Sequence, residues 1–146
     1  MLLRLYERPV EGLEERVLEI LRKLDMLEYI DSPMGTLSRG QVYKCALSGL
    51  ILLDPELWML DEPFAGGMDP LGIAFFKQEA RKAAERGRTI MYSTQIVDVV
   101  ESFSDLVCVL HKGGLEFMDS LAKVKQTEDG KGKLETIFAQ LKDGEE

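Results

Sequence analysis

Positive charge, histidine and cysteine are all scarce in this chain of 146 residues. Lysine and arginine number 18 against 26 aspartates and glutamates, a formal net charge of −8. This balance argues against a nucleic-acid binder that uses a broad basic face. One histidine and two distant cysteines are too few for a metal site built from those residues. Cys45 and Cys108 lie in apolar runs, so we expect them to be buried, reduced thiols.

Long apolar stretches are also missing. The N-terminal sequence MLLRLYERP contains Arg4, Glu7 and Arg8, which interrupt the apolar stretch that a signal peptide needs. The longest strongly apolar run, around residues 51–53, is far shorter than the ~20 residues that span a bilayer. We therefore expect any role at a membrane to be exercised through a partner chain.

Hydrophobic residues recur with helical spacing in some segments and form short uninterrupted runs in others. The pattern predicts helices over 11–27, from Ser38 to about 54, and over 71–86, 96–103 and 134–141, and strands over 57–60, 89–93, 106–110 and 115–118. Gly87 is expected to cap the third helix, Lys112-Gly113-Gly114 to turn a hairpin, and 126–132 to be a polar linker. Helices that alternate with strands indicate an α/β fold, with a mostly parallel sheet flanked by helices.

Two acidic residues follow the strand over 57–60. The carboxyl end of such a strand is where α/β proteins bind ligands. Asp61 suits Mg²⁺, because that ion prefers one or two carboxylates together with phosphate oxygens. Glu62 points elsewhere and can polarise an attacking water. An ordinary acidic turn at a strand end is the alternative, and these residues by themselves leave it open.

The sequence LSRGQ at 37–41 is the second candidate site. A serine hydroxyl, a glycine that allows close approach and the amides of a helix N-terminus together form an anion-binding edge. Ser38 and Gln41 also have the spacing of a capping box, in which each residue bonds the backbone of the other. Plain helix capping therefore remains the alternative at this point.

The motifs occur in a definite order: LSRGQ, a helix, LWMLDEP, GGMDP and a strand that ends in Ser93-Thr94. In this order they resemble the ATP-binding subunit of ABC transporters, over essentially the whole chain. Residues 37–41 match that family's signature motif, residues 57–62 its Walker B strand and residues 66–69 its D-loop. Residues 106–118 and the closing helix look most like the branch with ABC-2-type permeases.

The resemblance implies an incomplete P-loop NTPase-type fold. It assigns residues 1–41 to the end of a small helical subdomain, 42–126 to an α/β core, and 127–146 to a linker and C-terminal helix. It also implies ATP and Mg²⁺ as cofactors. The implied partners are a second nucleotide-binding domain, in a homo- or heterodimer, and a membrane-spanning permease that would hold this cytoplasmic chain at the membrane.

Each ATP site in that family is shared between two domains, so the resemblance divides the candidate residues into two groups. The signature would contact ATP carried by the partner, while the acids of the Walker B strand would act in this chain's own site. Asp61 would hold the metal and Glu62 would serve hydrolysis, with Gln95 at the switch position. The residues implied in nucleotide binding are Ser38, Arg39, Gly40, Gln41 and Asp69.

Two family features are missing from these 146 residues. No stretch reads G-x-x-x-x-G-K-[ST], so the backbone cradle and lysine that hold β- and γ-phosphates are absent. Gln95 stands where the family has its switch histidine, and glutamine can donate a hydrogen bond but cannot carry a positive charge or relay a proton. His111 follows a strand at a turn and is no substitute.

The missing P-loop strand would lie between the strands over 89–93 and 106–110, so its loss leaves a gap or makes those strands pair directly. We therefore expect the chain to be the C-terminal portion of a nucleotide-binding domain, naturally split or truncated. Full folding would need a complementing segment, a swapped copy or a rearranged sheet, and the lone chain would lack ATPase activity. A non-catalytic subunit that lends LSRGQ to a partner ATPase or docks on a permease, and an inactive remnant, are the alternatives.

Overall fold

A computed structural model describes residues 11–65 and 67–125, together with Leu134 and Thr136. Between Ser93 and Thr94 the chain divides into two compact units, each with its own two-stranded sheet. The first unit contains α1 (Leu13–Lys23), α2 (Arg39–Leu53), β1 (Leu57–Leu60), α3 (Pro70–Glu85) and β2 (Thr89–Tyr92), with 3₁₀ turns at Leu27–Tyr29 and Met34–Thr36.

Helix α1 is shorter than the predicted 11–27. It begins after Gly12, which has a left-handed φ of 64°. It ends before Asp25, whose φ of 54° reverses the chain. This reversal brings both Leu24 and Met26 into the core, where each is only 1% exposed. The last residues of the predicted helix thus lie on the two sides of a turn.

The strands β1 and β2 pair in parallel, with Trp58 opposite Ile90 and Leu60 opposite Tyr92. Trp58 is fully buried. Phe64, which follows β1, makes edge-to-face contacts with the rings of Phe76 on α3 and Tyr92 on β2, at centroid distances of 5.6 and 5.4 Å. These aromatic contacts fix the turn that carries Asp61 and Glu62 onto the sheet and α3.

The opposite face of this sheet is apolar and exposed. Leu57, Met59 and Met91 are 48, 68 and 59% exposed. Within the described residues β2 pairs only with β1, so the strands predicted over 89–93 and 106–110 do not pair with each other. Each belongs to a separate sheet.

The second unit contains α4 (Val97–Phe103), β3 (Leu106–His111), β4 (Gly114–Ser120) and α5 (Leu121–Val124). β3 and β4 form the predicted antiparallel hairpin, whose turn has positive φ at Lys112 and Gly113, typical of a tight hairpin turn. The buried core of this unit consists of Val107, Val109, Leu121, Val124 and Leu134, with Val97, Val100 and Phe117 packed against it.

Several sequence predictions can be compared with these elements. The structure confirms the helix that follows Ser38, the helix that ends before Gly87 and all four strands. Their ends lie within two residues of the predicted ones. The prediction of buried thiols is wrong for Cys108, which lies on the exposed face of β3, and Cys45 is only half-buried. The predicted linker over 126–132 and most of the predicted helix over 134–141 lie outside the described residues. Among the residues that the structure describes, no helix is long and apolar enough to cross a bilayer.

Candidate functional site

The carboxyl ends of β1 and β2 meet at Ser93. The Ser93 backbone N–H donates to the carbonyl of Leu60 at 3.0 Å, which continues the parallel ladder by one residue. The Ser93 hydroxyl donates to Asp61 Oδ1 at 2.6 Å and accepts a hydrogen bond from the Glu62 backbone N–H at 2.9 Å. The side chain that directly follows β2 thus holds the acidic end of β1 by both its donor and an acceptor site.

Glu62 has a backbone φ of 44°, in the left-handed region that non-glycine residues rarely adopt. The conformation is held by the bond to Ser93 on one side and by buried Pro63 and Phe64 on the other. Backbone strain of this kind persists where the surroundings impose it, and it clusters at functional sites. Glu62 is therefore held in a specific orientation at the strand end.

Asp61 fits the requirements of a magnesium ligand. It is exposed, and a carboxylate that accepts one bond from Ser93 retains further acceptor positions for a cation. The part of the chain that the structure describes has no cluster of three or more metal-binding side chains. Mg²⁺ at Asp61 would therefore take its other ligands from phosphate oxygens and water, as this ion usually does. The Asp61 carboxylate also reaches α2 electrostatically: burial raises the pKa of Tyr43, and the charge of Asp61 raises it further.

The predicted capping box is present at the start of α2. The Gln41 backbone N–H donates to Ser38 Oγ at 3.3 Å, and the Ser38 backbone N–H donates to Gln41 Oε1 at 2.8 Å. Ser38 and Arg39 are exposed to solvent. Because the first amides of a helix have no carbonyl partner within it, this end retains the partial positive charge that anions prefer. Capping and anion binding are thus compatible here.

The loop before α3 packs against the start of α2. A Cβ atom added to Gly40 would lie 2.6 Å from the carbonyl oxygen of Gly67, so only glycine fits there. Asp69 is the N-cap of α3, and its Oδ1 accepts a hydrogen bond from the Gly72 N–H at 2.7 Å. Its other oxygen forms an ion pair with buried Lys44. The hydrogen bond from Lys44, followed by that from Gly72, lowers the pKa of Asp69.

The structure thus brings Asp61 and Glu62 together with Ser93, and Gly40 together with the loop that contains Asp69. Gln95 is exposed and lies in the second unit, before α4. The sequence analysis missed Lys44. The sequence contains a signal for its burial, because Lys44 has the helical spacing that places it on the same face as the apolar residues Leu47 and Ile51.

Several known proteins resemble this chain in sequence. The family model described as ABC transporter matches residues 3–65. The chain is 36% identical over 103 residues to a putative ABC transporter ATP-binding protein of Methanothermobacter marburgensis, covering 70% of this chain and 37% of that protein. It is also 36% identical over 105 residues to the energy-coupling factor transporter ATP-binding protein EcfA of Methanocaldococcus jannaschii, with coverage of 72% and 37%.

Solved structures give the same result. An ATP-binding subunit of an ABC transporter superposes with a TM-score of 0.78 at 27% identity, over 88% of this chain and 54% of that one. CbiO1 from Clostridium perfringens has a TM-score of 0.59 at 26% identity, with coverage of 92% and 53%. The chain thus spans a little over a third of these curated relatives and about half of these structures. It is thus similar to the ATP-binding proteins of ABC transporters, over part of their length.

Proposed function

We propose that this chain is part of an ATP-binding subunit of an ABC transporter, the part that carries the signature motif, the Walker B acids and the D-loop. The observation that carries the proposal is the cluster of Asp61, Glu62 and Ser93 at the carboxyl ends of two parallel strands. In the same unit the exposed N-terminus of α2 presents LSRGQ. The acidic cluster and the candidate anion-binding helix end thus lie in the same compact unit, which supports the proposal.

In this chain's own site, Asp61 would hold Mg²⁺, which neutralises charge on the phosphates when it is bound. Glu62 would orient and polarise the attacking water as general base. The hydrogen bond from the Glu62 backbone N–H to Ser93 Oγ would hold the Glu62 backbone, and with it the carboxylate, at the end of the strand. Gln95 would occupy the switch position and donate a hydrogen bond to a phosphate oxygen.

The signature motif would serve a different nucleotide. Ser38, Arg39, Gly40 and Gln41 would bind the terminal phosphate of ATP held by a second ATP-binding domain, and Asp69 would lie at the interface with it. CbiO1 is described as part of the transporter complex cbiONQ, which supports a membrane permease as a further partner. The chain would then act at the cytoplasmic face of a membrane.

The P-loop that binds the β- and γ-phosphates would come from sequence outside these 146 residues. The missing P-loop motif and the exposed apolar face of Leu57, Met59 and Met91 both support this. The 146-residue chain should therefore show no ATP turnover alone. It should stimulate turnover when it is combined with a P-loop-bearing ATP-binding domain.

The test is Mg-ATP turnover by the purified chain, alone and mixed with a full-length EcfA-type subunit. Ser38→Ala should abolish the stimulation, whereas Ser32→Ala, in the turn before α2, should retain it. If the mixture completes this chain's own site in trans, Gln95→His should raise the stimulated rate, and an unchanged rate would show that position 95 is not the switch. Robust turnover by the chain alone would contradict the proposal.

A non-catalytic subunit that lends only its signature is the second candidate, favoured by glutamine at position 95 and by the missing P-loop. Glu62→Gln distinguishes the two functions. If the chain supplies a hydrolytic site, this variant should lower the stimulated rate. If the chain supplies only the signature, the rate should stay at the wild-type value while Ser38→Ala still abolishes it.

A further inference from the structure

Lys44 is a buried cation on an otherwise uncharged helix face. The residue is 7% exposed and shares the inner face of α2 with Leu47, Ser48 and Ile51. Its Nζ donates to the backbone carbonyl of Leu24, just after α1, at 2.9 Å, and forms an ion pair with Asp69. One ammonium group therefore joins three separate segments of the chain.

The start of α3 also lies close to Lys44. A Cβ atom on Gly72 would lie 3.3 Å from Lys44 Cε and 3.4 Å from Asp69 Oδ1. One turn earlier on α2, Gly40 touches the backbone of Gly67 with no room for a side chain. The start of α2 and the loop over 67–69 are thus joined at two points, a backbone contact at the tip and an ion pair one turn along.

Packing alone does not require a lysine at position 44, because an apolar side chain of similar volume would fill the same space without the cost of burying a charge. A buried lysine needs its carboxylate and its hydrogen bonds in a definite geometry, because an unpaired ammonium in this position is strongly unfavourable. The ion pair therefore fixes direction as well as distance: α2 cannot slide or rotate against the loop without breaking it. Asp69 transmits the same constraint to α3, whose N-terminus it caps.

We propose that Lys44 is a positioning residue that holds the signature motif in register with the 67–69 loop, so that a phosphate bound at Ser38–Gln41 and the loop move as one body. The inference rests on the proposed function, in which that phosphate belongs to a partner's ATP. Lys44 does not touch the nucleotide. It acts through Asp69 and the backbone of the loop.

Two kinds of measurement test this. The first is hydrogen exchange of the purified chain, followed by mass spectrometry on peptides that contain 37–41 and 67–72. The second is kcat and KM for ATP in the mixture with the EcfA-type subunit, measured well below the Tm of every variant. The variants are Lys44→Met, Asp69→Asn and Lys44→Arg. Lys23→Met is the matched control, since Lys23 pairs with Glu19 on the exposed side of α1.

If the proposal holds, Lys44→Met and Asp69→Asn exchange faster in both peptides and lower the stimulated kcat by about tenfold or more, as small misplacements of a positioned group do. KM for ATP should change little, because the partner holds the nucleotide. Lys44→Arg should restore most of the rate, since arginine retains the charge and the donors. Lys23→Met should leave both measurements at their wild-type values.

Two results would overturn the inference: variants with a lower Tm but an unchanged kcat, or wild-type exchange at 67–72 in Lys44→Met. If the wild-type chain gives no stimulation, the proposed function fails. The exchange measurement then decides by itself whether Lys44 joins the helix to the loop.

Discussion

Ser93 organises the acidic end of β1 through a single hydroxyl group. It joins the Asp61 carboxylate and the Glu62 amide across the gap between two strands. Since Glu62 is held at a φ of 44°, the strained conformation depends on such bonds to persist. At the residue scale, a side chain more than 30 residues further along the chain thus holds the Asp61 carboxylate and the Glu62 amide in place.

Ser93→Ala should therefore reduce stability and loosen Glu62. We expect the free energy of unfolding to fall by about 1–2 kcal/mol, since two hydrogen bonds are lost and the Glu62 amide loses its acceptor. Urea denaturation followed by circular dichroism measures this. Ser102→Ala is the comparison, because the exposed Ser102 hydroxyl bonds a carbonyl of its own helix. An equal loss in the two variants would contradict the special role of Ser93.

Asp69 gives a pH dependence of defined sign. Its pKa is lowered in the folded chain, by Lys44 first and by Gly72 second. Its contribution to stability is therefore fully present above the unfolded value of about 3.9 and is lost as the pH falls through the folded value. Denaturant midpoints from pH 6 to pH 3 should fall less for Asp69→Asn than for the wild type. Lys44→Met should likewise make the denaturant midpoint depend less on pH between pH 6 and pH 3. A steeper fall of the midpoint in either variant would contradict the assignment.

Among the elements, α2 contacts the rest of the first unit at both of its ends and along its inner face. Its N-terminus presents the signature, its inner face carries Lys44, and its C-terminus ends at Asp54, which has a left-handed φ of 43° and bonds Arg86 and Arg88. The two glycines of the helix differ sharply. Gly40 abuts the backbone of Gly67, while a Cβ atom added to Gly49 would meet no other atom within 4 Å.

The two glycines therefore make a matched pair of substitutions. Gly49→Ala should raise the free energy of unfolding by up to about 1 kcal/mol, since alanine is the better helix former and has space there. Gly40→Ala should lower it, because the new methyl group would displace the loop backbone at Gly67. Thermal unfolding of both variants measures the difference. Stabilisation by Gly40→Ala would show that the helix and the loop are not in contact.

Each unit of the whole molecule has one sheet face that the described residues leave uncovered. In the first unit it consists of Leu57, Met59 and Met91. In the second it consists of Leu106, Cys108, Leu110, Leu115 and Met118 on the hairpin. Two-stranded sheets are marginally stable by themselves, and exposed apolar patches of this kind mark surfaces that another segment covers. The short coverage of the relatives is consistent with a missing part of the domain.

The uncovered face should bind hydrophobic dyes. We expect the isolated chain to enhance the fluorescence of anilinonaphthalene sulfonate, and Met59→Lys combined with Met91→Lys to reduce this signal without loss of helical circular dichroism. The EcfA-type subunit, if it covers the same face, should reduce the wild-type signal in proportion to the complex formed. A dye signal as low as that of an intact globular domain would contradict an exposed face.

The sequence alone determined the local elements and the candidate motifs. The capping box of Ser38 and Gln41, the strand before Asp61 and the Gly87 helix end follow from spacing and backbone preference, which act over a few residues. Only the tertiary structure decided that Ser93 bonds Asp61 and Glu62, that Cys108 is exposed and that Lys44 pairs with Asp69. The physical reason is distance along the chain: these contacts join residues far apart in sequence or depend on which sheet face is covered, and no local pattern encodes either.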